Sequence, residues 1–134
     1  MLSEVDHHRL TRAAIAAGTN AYAPYSHFQV GAAILCANGQ IITGANVENA
    51  SYGLTICAER AAVCAANAVG LRIFTAIAIA TAGGAAPCGA CRQVLAEFAP
   101  QLPIILVDTT SDTWVDTNLG LLLPMQFSAA NFQE

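Results

Sequence analysis

Residues 57–108 read CAERAAVCAANAVGLRIFTAIAIATAGGAAPCGACRQVLAEFAPQLPIILVD. Two rhythms alternate here. Cys57 to Ala68 is alanine-rich and predicts a helix, with Gly70 just past its end. Ile73 to Thr81 is a short apolar run and predicts a buried strand. Gly83-Gly84 opens a loop that ends at Pro87. Cys88 to Ala99 predicts a second helix stopped by Pro100, and Pro103 to Asp108 a second buried strand. Crossovers that contain helices favour parallel neighbours.

Upstream, Ser3 followed by Asp6 resembles a capping signal for a helix over Val5 to Ala17, which Gly18 ends. Tyr22 to Ser26 is a loop containing Pro24. Phe28 to Cys36 and Gln40 to Ala45 read as two strands joined at Asn38-Gly39, a hairpin turn signal. Downstream, the pattern gives an edge strand near Trp114 and a last helix around Asn118 to Leu123. The expected fold is α/β: a three-layer α/β/α sandwich with a mixed sheet fed by an antiparallel hairpin. Residues 1–134 suit one domain.

Hydrophobic residues make up 55% of the chain and charged residues 10%. A small domain cannot bury that much apolar surface alone, so part of it is expected between subunits. An alanine-rich core with a bland surface is the other reading. The net charge is -4, with five basic residues in all. Nucleic-acid binding by counterion release needs clustered Lys and Arg, so no polynucleotide partner is expected. The N-terminus has no apolar signal-peptide core and no run approaches membrane-spanning length. A cytoplasmic protein without a membrane partner is expected. Five cysteines, an odd number, suit a reducing compartment.

Three of those cysteines stand at predicted helix starts: Cys57, then Cys88 and Cys91 behind Pro87. Helix N-termini carry partial positive charge and free N–H groups, which stabilise thiolates. Two helices aimed at one point can hold three thiolates around Zn²⁺, with Pro87 placed in the first turn. Residues two apart diverge by about 200° along a helix, so Cys57 and Glu59 share a site only off the helix end. Structural zinc takes four protein ligands, whereas catalytic zinc keeps a position for water. Cys36 and Cys64 occupy predicted core positions, and His7, His8 and His27 show no ligand spacing. Glu59 alone would be explained by the helix dipole; beside a zinc ligand the balance reverses, because three ligands, a non-ligand Glu and a P-C-x-x-C segment resemble the pattern of zinc deaminases. Three thiolates leave zinc with a net negative charge. Arg60, and Arg92 as a second candidate, can offset it from behind the sulfurs. A C-x-x-C redox pair at Cys88 and Cys91 remains an alternative.

With these segments together, the sequence resembles the small homotetrameric cytidine deaminases nearly end to end. The resemblance runs through Tyr25 to Ala33, Gly44 to Ala50, Cys57 to Arg60, Pro87 to Gln93 and Leu122 to Pro124. It implies one zinc per chain on Cys57, Cys88 and Cys91, with Glu59 as proton shuttle. It implies hydrolysis of cytidine and 2′-deoxycytidine at C4, in pyrimidine salvage. Asn46 and Glu48 would hold ribose hydroxyls, Phe28 would wall the pocket, and the Ala58 N–H would donate to the base carbonyl. Ala50 and Tyr52 would approach a neighbouring subunit's ribose, and Phe127 would cover another subunit's pyrimidine. From the residues alone, an Asx-turn at Asn46 with a solvated Glu48, and an ordinary core position for Phe28, are the favoured readings. A blasticidin S deaminase-like enzyme, or a non-catalytic zinc module, are the alternative functions.

Overall fold

The computed structural model describes residues 2–132. Strand β3 (Phe74–Thr81) alternates isoleucine with alanine, and this sorts the helices onto two faces. Side chains two apart along a strand share a face. Ala76, Ala78 and Ala80 meet Leu10 and Ala14 of helix α1 (Glu4–Gly18). Ile77 and Ile79 lie in the other core, with Ala62 and Val63 of helix α2 (Ala58–Ala68) and Leu95 of helix α3 (Gly89–Phe98). The outcome is the expected sequence of layers, helix, sheet, helix. A register shift between Leu35 and Cys36 brings Phe74 into the isoleucine core, its ring 5.2 Å from that of Phe98.

The sheet also contains β1 (Gly31–Cys36), β2 (Ile41–Ala45), β4 (Pro103–Asp108) and β5 (Thr113–Asn118), in the order β2-β1-β3-β4-β5. Strand β1 pairs antiparallel with β2 and β3, β3 parallel with β4, and β4 antiparallel with β5. The Asn38-Gly39 hairpin forms as read, with Gly39 at φ +89°. Strands β2 and β3 therefore run in one direction. Both crossovers, β2 to α2 to β3 and β3 to α3 to β4, begin their helices at the same edge of the sheet. That edge is where open α/β sheets bind ligands.

Several boundaries differ from the sequence reading. The first strand starts at Gly31 rather than Phe28, because the Asn46 side chain takes over the backbone of residues 28–30. Its Nδ2 donates to Phe28 O at 2.8 Å and its Oδ1 accepts from Val30 N at 2.9 Å. Pro87 stands outside α3, one residue before the N-cap Cys88, instead of in its first turn. The helix expected around Asn118 to Leu123 is α4 (Leu119–Leu122), one turn capped by Asn118, and a 3-10 turn at Ala129–Phe132 follows it. Cys64 is exposed: α2 buries Ala58, Glu59, Ala62, Val63 and Ala66, and position 64 falls outside that stripe. Cys36 is core, as expected. Among the described residues no helix is long and apolar enough to cross a membrane.

One contact fixes the height of α2 above the sheet. A Cβ on Gly44 would stand 2.4 Å from Ala62 N and 2.5 Å from Ala58 O. The helix backbone therefore rests directly on β2. Gly44→Ala should lower stability by at least the roughly 1–3 kcal/mol typical of overpacking, read from urea unfolding. An unchanged unfolding midpoint would show that α2 is not seated this way.

Candidate metal and substrate site

Cys57 is the N-cap of α2 and Cys88 the N-cap of α3, while Cys91 lies in the first turn of α3 and is fully buried. The two helix starts face each other, and the three sulfurs lie within 4.8 Å of one another. Tetrahedral zinc with Zn–S bonds of about 2.3 Å sets its sulfurs slightly under 4 Å apart. The donor set fits zinc. Among the described residues no fourth His, Cys, Asp or Glu joins the group. Placing the site off the helix ends, as the Cys57–Glu59 spacing required, agrees with Cys57 being a cap.

Electrostatics favour a cation here. Burial, together with the nearby Glu59, Cys88 and Cys57, pushes the Cys91 thiol far above its ordinary value. Burial also opposes ionisation of Cys88, yet the N–H of Cys91, the Cys91 and Cys57 thiols and the N–H of Ala90 pull it below the usual range. No cap hydrogen bond closes on Cys88 Sγ, so its amide contacts act as dipoles at the helix start. Arg60 Nη2 donates to Cys57 Sγ at 3.4 Å, and this thiol contact holds the guanidinium protonated. Arg60 Nε is buried with no partner among the described residues. Arg92 does not reach a sulfur. Its Nε donates to Pro87 O at 2.8 Å and its Nη1 to Leu122 O at 2.6 Å, so it braces the backbone entering Cys88.

Glu59 is 5% exposed. Burial raises its pKa above the ordinary carboxylate value, against its own N–H, the Cys91 side chain and the Arg60 charge. It lines a cleft of about 260 Å³. The cleft is lined by Phe28, Asn46, Glu48, Cys57, Ala58, Glu59 and Cys88, with Ile79, Thr81, Ala85 and Ala86 from β3 and the loop after it. A larger hollow of about 430 Å³ lies between α1 and β5, around His7 and Trp114. It contains neither the sulfurs nor Glu59, so the smaller cleft carries the chemistry. The Ala58 N–H donates to no backbone carbonyl among the described residues, as expected of a first helical residue.

Phe28, Asn46, Glu48 and Ala58 thus come together with Glu59. Glu48 Oε1 accepts from Tyr25 N at 3.0 Å and Ser26 N at 3.1 Å, and the Ser26 hydroxyl donates to Oε2. These bonds, the hydroxyl's first, lower the Glu48 pKa. Tyr52 packs edge-on against Tyr25 beside a neighbouring depression that Glu48 and Ser26 also line. Ala50 does not line the cleft, and Phe127 lies away from it, its carbonyl accepting from Gln93 Nε2 at 2.9 Å. Sequence reading missed Ser26, Thr81 and Asp108. Asp108 Oδ1 accepts from Gly83 N, Thr110 N and the Thr110 hydroxyl, pinning the loop that carries Ala85 and Ala86. Its signal was faint: a lone Asp at the end of a strand.

The sequence profile of the cytidine and deoxycytidylate deaminase zinc-binding region matches residues 4–106. The chain belongs to this deaminase family. A cytidine deaminase of Halalkalibacterium halodurans is 44% identical over 132 residues, covering 97% of this chain and all of the relative. The crystal structure of a cytidine deaminase from Burkholderia pseudomallei is 50% identical and superposes with a TM-score of 0.85, covering 90% of this chain and 98% of that one. A cytidine deaminase structure from Mycobacterium tuberculosis is 45% identical with a TM-score of 0.80, covering 92% and 98%. The chain belongs to a zinc-binding family, and Cys57, Cys88 and Cys91 are positioned to hold a metal ion.

Purified protein should carry one zinc per chain. Cys88→Ala should lose it, while Cys36→Ala and Cys64→Ala should keep it, because only Cys88 stands in the sulfur cluster. Elemental analysis decides the point: full zinc in Cys88→Ala, or loss in Cys36→Ala, contradicts the ligand set.

Proposed function

We propose that the chain hydrolyses cytidine and 2′-deoxycytidine to uridine and 2′-deoxyuridine, releasing ammonia. One juxtaposition carries the reading: a buried carboxylate, Glu59, and a cluster of three cysteine sulfurs that fits zinc, meeting at one cleft. When bound, zinc supplies the Lewis acidity that makes water nucleophilic at neutral pH. The chain's own residues do the rest. Glu59 accepts one proton of the attacking water and passes it to ring N3; it then takes the second from the hydroxyl added at C4 and delivers it to the departing amine, so that the C4 carbonyl forms as ammonia leaves. A carboxylate whose burial raises its proton affinity suits both directions of transfer. The Ala58 N–H is offered to the base carbonyl, and Phe28 forms a wall for the ring. Arg60 offsets the thiolate charge from behind Cys57.

Asn46 and Glu48 hold the sugar. A carboxylate has about four lone-pair sites; the loop at Tyr25 and Ser26 fills three on Glu48 and leaves one on Oε2. Asn46 keeps one N–H and one lone pair beyond its backbone bonds. Each residue thus keeps one acceptor site, enough for the sugar hydroxyl that both nucleosides share and for a second where it is present, which is why the ribo- and 2′-deoxynucleosides are proposed together.

We read residues 1–134 as one domain that forms a homotetramer with shared sites. The accessible surface, 7379 Å², exceeds the roughly 6600 Å² expected of a monomer of this mass. Tyr22, Val47, Leu54 and Ile56 are exposed apolar groups, and α2 turns Cys64 and Ala65 outward. Phe127 is 62% exposed although its backbone is tethered, so it is presented rather than loose. Ala50 and Tyr52 follow Glu48 closely in sequence, and the family resemblance assigns them to the ribose of a neighbouring subunit's site. The odd cysteine count suits the cytoplasm, where pyrimidine salvage takes place.

Glu59→Gln should fold and keep zinc but lose at least the 10²–10⁴-fold in turnover that a general acid–base typically contributes, roughly. Assay of cytidine with uridine detection tests this; near-normal turnover would remove Glu59 from the mechanism. Phe127→Ala should raise KM for cytidine with zinc intact, and light scattering should give four chains. A fully active monomer at assay concentration would refute the shared site.

A further inference from the structure

We infer that Ser26 is a positioning residue for Glu48: its hydroxyl fixes which oxygen lone pair the carboxylate presents to the sugar. The inference rests on the reading of Glu48 as the sugar contact.

The Ser26 hydroxyl donates to Glu48 Oε2 and accepts from Phe28 N at 3.0 Å. A hydroxyl has one proton and two acceptor sites. With the Phe28 N–H on one acceptor site, the rotor is set and the proton points at Glu48. The backbone is bent to allow this. His27, between the two partners, sits at φ +57°, in the left-handed region that non-glycine residues seldom occupy. The bend brings Phe28 N back to a side chain two residues earlier. Phe28 precedes the first strand, so its N–H has no ladder partner to replace the hydroxyl.

Glu48 enters this arrangement from after β2, 22 positions away in sequence. Its Oε1 is held by the Tyr25 and Ser26 amides. Two donors on one oxygen leave the carboxylate free to swing about that oxygen, carrying Oε2 toward or away from the cleft. The Ser26 hydroxyl supplies the third point and stops the swing. Ser26 itself borders the cleft, so Oε2 is locked at its edge. An alanine would leave Oε2 to water. A threonine would restore the oxygen in the same place.

The test is a double-mutant cycle on the full enzyme. kcat and KM for cytidine are measured for Ser26→Ala, Ser26→Thr, Glu48→Ala and the double variant, with zinc content alongside. Ser26→Ala should keep one zinc per chain and raise KM about tenfold, with a smaller change in kcat, the scale of one hydrogen bond to a charged group. Ser26→Thr should stay within about threefold of the parent. In the Glu48→Ala background, Ser26→Ala should cost no more than about twofold, because the group it acts through is gone. A tenfold loss that persists in that background, or parent-like kinetics for Ser26→Ala, overturns the inference. If Glu48→Ala is itself silent, the sugar reading fails and this inference falls with it. Should Ser26→Ala fold poorly, near-isosteric Ser26→Cys, a weak donor, takes its place in the same cycle.

Discussion

Gly44 lies under α2 with no space for a side chain, and the position of the site follows from that contact. The helix rests its backbone on β2, which brings its first residues to the sheet edge where α3 also begins. Cys57 and Cys88 are caps of these two helices, and Cys91 lies in the first turn of α3. The sulfurs need no long or flexible side chain to meet. Their separation is set by two backbones packed on one sheet, and packed backbones are rigid.

That geometry has an electrostatic cost which the rest of the site answers. Three thiols and Glu59 converge in a partly buried volume, and Cys91 shows the strain as a thiol that resists ionisation. The helix dipoles and Arg60 supply positive charge from the protein side. Zinc supplies the remainder. The site is therefore organised to hold a cation while keeping one carboxylate, Glu59, in a buried position with a raised proton affinity.

Much of this was legible in residues 57–108. The alternation of Ile and Ala in 74–81 carries the two core faces, and the caps are visible as cysteines before apolar helices. The zinc donors were read from three cysteines at predicted helix starts together with the family resemblance. The parts that were not legible depend on side chains that replace backbone pairing. Asn46 shortens the first strand by bonding Phe28 and Val30, and no local pattern announces that. Arg92 was read toward the sulfurs but braces carbonyls at Pro87 and Leu122, since Leu122 O comes from a distant segment. Cys64 was read as core because the whole helix is alanine-rich. With so little contrast between its faces, the buried stripe cannot be chosen by composition.

The central claim is that this cluster and Glu59 together deaminate a free nucleoside at zinc. It is tested most directly by removing the metal with a chelator and returning it in steps while cytidine turnover is followed. The account predicts uridine and ammonia in equal amounts, with activity rising in proportion to zinc and levelling off at one equivalent per chain. Full turnover of cytidine by the metal-free protein, or no uridine formed at one zinc per chain, would contradict it.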